Sequence, residues 1–299
     1  MSTPHYSLEP IQAENAGHFL VRDHADRIFM RVQRPDGASR GIVVITHGLG
    51  EHSGRYGHVA EKFSALGLGV VTWDLRGHGR SSGERGDAMQ YNLLIDDLEA
   101  VCACATEEGG PLILFAHSLG GQLVLRFLEE RQPACAGAVI ASPWLRLAFD
   151  PPWWKLALAR MALKIFPRFA QKTGTSWARL SRDFEHLASF PDLDLTHHLI
   201  SARLYFAVRA GGEAALADAA RLHLPLLLVH GDQDPITSHH ATRELFEHVS
   251  SPDKTLRVCP GVLHETHNDL DRAIVLQEIC DWLEARLPGA GTAGMTKSE

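Results

Sequence analysis

The chain has 299 residues, 45% of them apolar and 22% charged, which excludes a disordered or fibrous chain and leaves room for one large α/β domain or two small ones. Its 29 basic and 36 acidic side chains give a formal charge of −7 with neutral histidines; without a basic tract, nucleic acid is excluded as a partner. No apolar run approaches the ~20 residues of a membrane-spanning helix, and the opening MSTPHYSLEP lacks the charged-then-apolar order of a secretory signal.

In chain order, His18 to Asp23 and Arg27 to Arg34 read as an antiparallel edge hairpin around Asp26. Six short apolar runs of strand length follow: Gly41 to Thr46, Leu68 to Trp73, Leu112 to Ala116, Gly137 to Ala141, Leu226 to His230, and Thr255 to Cys259. Runs that are apolar throughout, rather than alternating, predict strands buried on both faces, as in a parallel sheet covered by helices. Between them, Leu94, Leu98 and Val101, then Leu119, Leu123 and Phe127, repeat at helical spacing. Ile274, Ile279, Trp282 and Leu283 predict a last helix. Strand alternating with helix is the pattern of an α/β fold with a mostly parallel sheet.

One interval breaks the rhythm. From 143 to 222 no buried strand pattern occurs, only helical segments separated by Pro151-Pro152, Pro167 and Pro191. The expected organisation is a body made of residues 1–142 and 223–287, with 143–222 laid over it as a helical cap. The small, polar tail 288–299 is expected to be disordered.

The five cysteines are odd in number and form no CxxC pair, so free thiols in a reducing cytoplasm are expected. The 18 histidines include adjacent pairs but no HExxH or Cys/His ligand ladder, so no metal is assigned.

Chemistry concentrates at Leu112 to Gly121. A strand ends, Ser118 follows with small residues Ala116 and Gly120 two positions to either side, and a helix begins at once. Small neighbours let strand and helix cross closely at a strained turn that lifts the serine oxygen above the sheet, at the positive end of the helix. The usual form is G-x-S-x-G, and Ala116 replaces its first glycine; the bland alternative makes Ser118 a helix N-cap. A serine nucleophile needs a base, and the base an orienting carboxylate. An acid-bearing loop, Gly231 to Ile236 with Asp232 and Asp234, follows one strand, and a loop ending in His264 follows the next. Serine, acid and histidine thus each follow the carboxyl end of a strand, where open sheets build their sites.

With these pieces in place the sequence resembles the monoacylglycerol lipase and lysophospholipase group of α/β-hydrolases, from about His18 to Leu287. The matching segments are His47 to Tyr56 (HGLGEHSGRY), Asp74 to Ser81 (DLRGHGRS), Ala116 to Gly121, and Ala141-Ser142-Pro143. The resemblance implies an α/β-hydrolase fold with Ser118 as nucleophile, Asp234 as acid and His264 as base. The family spacings G-x-x-D and G-x-x-H select Asp234 over Asp232, a turn former, and His264 over His267, which is read as opening the last helix. It also implies oxyanion donors at the backbone N–H groups of Leu49 and Leu119, and no cofactor. His47 and the Asp74 to Ser81 segment read as architecture, with Asp74, Arg76 and His78 in one polar network. Glu51 and His52 read either as substrate contacts or as structure.

In the cap, Trp154, Leu158, Met161 and Ile165 share one helical stripe, and Arg160, Lys164 and Arg168 another. The stripe is read first as packing onto the body with the basic row solvated. Because the helix is apolar over more than one stripe, the other reading is peripheral contact with an anionic lipid surface. The expectation is a cytoplasmic serine carboxylester hydrolase acting through an acyl-enzyme on a lipid-like monoester, a monoacylglycerol or lysophospholipid. The alternatives are an esterase or other α/β-hydrolase chemistry on a small non-lipid substrate, and a binding module that keeps a hydrolase shell. Head group, chain length, regiochemistry and oligomeric state are left open.

Overall fold

The computed structural model describes residues 6–10, 17–22 and 26–287. Strands β1 (Tyr6–Pro10), β2 (His18–Arg22), β3 (Asp26–Gln33), β4 (Ile42–Thr46), β5 (Gly69–Trp73), β6 (Leu112–His117) and β7 (Gly137–Ala141) precede the insertion. β8 (Ala170–Lys172) and β9 (Leu199–Ser201) lie inside it, and β10 (Leu226–Gly231) and β11 (Lys254–Cys259) follow it. Among the described residues, nine strands form one sheet in the order β1-β2-β3-β5-β4-β6-β7-β10-β11. The six apolar runs are its parallel strands, from β5 to β11. β1, β2 and β3 are antiparallel.

Helices α1 (Gly57–Ala65), α2 (Tyr91–Thr106), α3 (Ser118–Arg131), α4 (Trp153–Ile165), α5 (Trp177–Leu180), α6 (Phe184–Ala188), α7 (Ala202–Asp218), α8 (His239–His248) and α9 (Arg272–Glu284) complete the chain. Alternation along the strands sorts the core into two layers. Ile42 and Val44 belong to the layer built with α2, α3, α7 and α8, whereas Val43 and Ile45 belong to the layer built with α1 and α9. With helices on both faces, β4, β6, β7 and β10 are buried along their whole length, which is why their sequences are continuously apolar.

Four details differ from the sequence reading. Strand β1 is five residues long and ends in Pro10, and the sequence reading does not include it. Asp26 pairs with Arg22 as the first residue of β3 rather than forming the turn; the link 23–25, like the tail 288–299, lies outside the described residues. In α9 Ile274 is exposed, and Val275 and Leu276 fill the buried face instead. The insertion holds a short antiparallel pair, β8 and β9; three-residue strands are too short to show a period.

The last helix of the insertion, α7, packs on α3. Gln122 of α3 donates to Val208 O at 2.8 Å and to Trp144 O, and a Cβ at Gly212 would fall 2.0 Å from Leu145 O. The stripe of Trp154, Leu158, Met161 and Ile165, read first as packing inward, faces solvent. The side of α4 turned inward carries Leu156, Ala159 and Leu163, and only Ala159 is buried. No helix among the described residues is long and apolar enough to cross a membrane.

Candidate active site

Ser118 sits where β6 turns into α3, with φ of +52°. A non-glycine residue at positive φ is strained, and such strain persists only where the surroundings impose it. Here they do: a Cβ at Gly120 would lie 2.4 Å from His47 O and 2.5 Å from Thr46 O. Only glycine lets α3 pass the end of β4 this closely. Ala116 is buried within β6, and its methyl group is accommodated.

Asp234 follows β10. Its Oδ1 accepts from the N–H groups of Ile236 (2.7 Å) and Thr237 (3.0 Å). Oδ2 accepts from His264 Nδ1 (2.7 Å), Thr237 Oγ1 (2.8 Å) and His230 Nε2 (3.0 Å). Burial alone would raise the carboxyl, but the neighbouring His264 and His230 hold it well below the usual carboxylate range. Asp232, the rival acid, accepts from Gly261 N at 2.7 Å and so ties the acid loop to the histidine loop. Gly231 completes that tie, since a Cβ there would meet Val262 O at 2.2 Å.

His264 follows β11, and its Nε2 lies 3.0 Å from Ser118 Oγ. Burial lowers its basicity, but Asp234 reverses the balance and leaves its pKa raised above the ordinary histidine value. Ser142, at φ of +44°, donates to His264 O at 2.7 Å and steadies the loop. His267 lies before α9, buried against Tyr56, Phe115 and His117.

The loop after β4 faces Ser118: a Cβ at Gly48 would lie 3.0 Å from Ser118 Cβ. Leu49 follows in this loop. Leu119 is the second residue of α3, where a helix offers its N–H no acceptor of its own. Glu51 fixes the loop from beneath. Its Oε1 accepts from Gly48 N (2.5 Å) and Tyr56 OH (2.8 Å), and its Oε2 from Arg55 Nη1 (2.9 Å). Arg55 reaches on to both oxygens of Glu265, at 3.0 and 2.8 Å. His52 accepts from Gly54 N and caps the short turn Ser53–Tyr56.

His47 is held at both nitrogens, accepting from Leu75 N at Nε2 and donating from Nδ1 to Gly48 O. Burial pushes it down to about 4, so it stays neutral. Of the expected network of Asp74, Arg76 and His78, one link is present, from His78 Nδ1 to Arg76 O at 3.0 Å, while the three side chains otherwise take separate partners. Asp74 binds Ser53 N and Arg80 N, Arg76 pairs with Asp97 and Asp26, and His78 bonds a backbone carbonyl. Sequence reading assigned no role to Glu265, His230 or Thr237. Their signal was proximity to His264 and Asp234, which does not say where a side chain points.

Ser118 and His264 open onto a cavity of about 280 Å³ beneath the insertion. Trp144, Leu147, Phe149, Leu156, Ile200 and Tyr205 give much of it an apolar wall. Chemically, the arrangement can remove a proton from Ser118 through His264, and can offer backbone N–H groups to an oxyanion.

Comparison with known proteins identifies the family. The family model described as "Serine aminopeptidase, S33" matches residues 37–271. A monoacylglycerol lipase of Mycolicibacterium smegmatis is 33% identical over 87% of this chain and 94% of its own. A monoglyceride lipase of Homo sapiens is 28% identical over 98% of each chain. The crystal structure of Paleococcus ferrophilus monoacylglycerol lipase superposes with a TM-score of 0.79 at 33% identity, covering 87% of this chain and 99% of that one. The family model carries a peptidase's description and these relatives a lipase's, but all share a serine hydrolase scaffold, and the chain belongs to the monoacylglycerol lipase group of the α/β-hydrolases.

Proposed function

We propose that the protein hydrolyses the ester of a lipid-like monoester, a monoacylglycerol or lysophospholipid, with Ser118, His264 and Asp234 as its catalytic triad. The observation that carries the reading is the unbroken relay from Ser118 Oγ to His264 Nε2 (3.0 Å) and from His264 Nδ1 to Asp234 Oδ2 (2.7 Å), opening onto an apolar cavity. Ser118 Oγ attacks the ester carbonyl while His264 Nε2 takes its proton. The carbonyl oxygen, now negative, is held by the N–H groups of Leu49 and Leu119. The oxyanion collapses, the alcohol leaves with the proton from His264, and Ser118 remains acylated. Water, deprotonated by His264, then releases the fatty acid and restores the serine. Asp234 fixes the ring with Nδ1 protonated and stabilises its positive form.

The acyl chain lies along the apolar wall under residues 143–222, which act as a cap over a body of residues 1–142 and 223–287. Each methylene buried there contributes about 0.8 kcal/mol. The protein is cytoplasmic and touches membranes peripherally. The outward face of α4 and its continuation carries Trp153, Trp154, Leu158, Met161, Ile165, Phe166 and Phe169, all exposed, next to the basic row of Arg160, Lys164 and Arg168. Such a face suits the boundary of an anionic bilayer.

Ser118→Ala is expected to abolish hydrolysis of a short nitrophenyl ester and labelling by a fluorophosphonate, with thermal melting retained. Turnover that survives the substitution refutes the mechanism. A mass-spectrometric screen of mixed monoesters tests the substrate class, and preference for small polar amides or short non-lipid esters refutes it.

A further inference from the structure

We propose that His230 is a positioning residue of the catalytic relay, a second imidazole on the carboxylate oxygen of Asp234 that serves His264, restraining how much basicity that carboxylate lends to His264. The inference rests on the triad reading above.

His230 is fully buried near the end of β10 and is not among the residues that line the cavity. Its Nε2 lies 3.0 Å from Asp234 Oδ2 and 3.2 Å from Thr237 O. A carboxylate and a carbonyl only accept, so Nε2 carries the hydrogen. Its Nδ1 lies 2.8 Å from the hydroxyl of Thr242 on α8, which donates to it when the ring is neutral. A chain of donors thus runs from α8 through Thr242 and His230 to the carboxylate.

Oδ2 also receives His264 Nδ1–H and the Thr237 hydroxyl. One carboxylate oxygen offers about two lone-pair sites, so the donors compete for it. Charge withdrawn by His230 is charge not available to the imidazolium of His264. Removing the His230 donor leaves Asp234 a stronger partner and His264 a stronger base. A purely structural imidazole would affect stability and leave the ionisation of His264 where it was.

The other titratable groups around the relay are His239, with its ring 6.3 Å from that of His230, His117, 4.7 Å from that of His264, and His267, whose ring lies 4.9 Å from that of His117 and which also interacts with His264. Asp232 acts on His239, and Glu265 and Glu51 act on His264. Among these, His239 senses His230 directly, whereas Thr242→Val leaves His230 in place, so a shift of the same sign in both variants reports the Thr242-to-Asp234 chain.

The test is the pH dependence of kcat/KM on a short nitrophenyl ester for the full-length wild type, His230→Leu, His230→Gln and Thr242→Val, with melting curves as the control for folding. In His230→Leu the acid limb moves up by about half a pH unit or more while KM stays near wild type. Thr242→Val moves it in the same direction by less. His230→Gln, whose amide Nε2–H reaches the place of the ring Nε2, keeps the wild-type limb. A folded His230→Leu enzyme with its limb within about 0.2 units of wild type overturns the proposal. If that variant does not fold, an unmoved limb in Thr242→Val overturns it instead. Turnover that survives Ser118→Ala would break the triad reading beneath it, a result distinct from either.

Discussion

Arg55→Met is the perturbation that most directly tests how the oxyanion loop is held. Arg55 is 6% exposed and bridges two buried carboxylates, Glu51 and Glu265. Burial would raise Glu265, but the Arg55 charge and fork of hydrogen bonds bring it down to about 2 from an ordinary 4.5. Glu51 goes the other way, with burial as the larger influence and Arg55 opposing it. A carboxyl depressed from 4.5 to about 2 contributes about 3 kcal/mol of stability above its unfolded pKa, lost as pH falls through 4.5 towards 2. In Arg55→Met burial acts unopposed on Glu265, its folded pKa rises above the unfolded one, and the sign reverses: stability is now lost as pH rises. Breaking a buried pair costs about 3–5 kcal/mol, so the melting midpoint at pH 7.5 should fall by roughly 5–8 °C in a chain of this length. At pH 5 the fall should be clearly smaller. Scanning calorimetry of both proteins at the two pH values checks this, and an equal fall at both refutes the electrostatic account. Because Glu51 holds Gly48 N–H, kcat should also drop by about tenfold or more while KM changes little.

The raised pKa of His264 sets the acid limb of wild-type kcat/KM. The base must be unprotonated, so activity falls as pH drops through a value above 6.5, and a limb below 6.5 would contradict the Asp234 pairing. Glu129 on α3 is fully buried, with Oε1 unpartnered among the described residues, and burial raises it to about 8. A raised acid makes the fold less stable as pH climbs from about 4.5 to 8. Glu129→Gln should flatten that decline and melt higher than wild type at pH 8.5 in a thermal-shift assay. The triple substitution of Trp153, Phe166 and Phe169 to Ser removes side chains 80%, 68% and 63% exposed. It should weaken co-sedimentation with anionic vesicles by at least about tenfold and leave hydrolysis of a soluble short ester unchanged; undiminished binding would exclude this face as the contact.

The parallel half of the sheet was legible because burial on both faces removes the need for polar residues. A short run that is apolar throughout suits a strand covered on both sides, and the length of Leu112 to Ala116 or Leu226 to His230, too short for a helix, settles the choice. Ser118 was legible for a steric reason, since Gly120 is required where α3 crosses β4. The chemistry around the triad was less so. Glu265 stands next to His264 in sequence, yet its importance comes from Arg55, 210 positions away. His230 read as the end of a strand, because an apolar run gives no sign that its last side chain turns to a carboxylate. The outward stripe of α4 was misjudged for a related reason. Amphipathic periodicity identifies a face but not its partner, and in this helix the smaller surface of Leu156, Ala159 and Leu163 is the one that meets the protein.

The hydrogen bonds from residues 177–197 to the loops of the site explain how the proposed cap and a precise relay can coexist. His197 donates its N–H to Gly50 O in the oxyanion loop at 2.8 Å, and its carbonyl excludes any side chain at Gly50. Arg179 donates to Pro235 O, next to Asp234, and Leu180 O accepts from Glu265 N, next to His264. The loops of Leu49, Asp234 and His264 are therefore each tied to residues 177–197. A cover that swung as one body would break all three ties and disturb Leu49, Asp234 and His264 together. Displacement of α4 alone breaks none of them and uncovers the cavity where Leu156 and Ala159 line it. The same helix carries the outward apolar face, so contact with a lipid surface would act on a part of the insertion that makes none of these three hydrogen bonds.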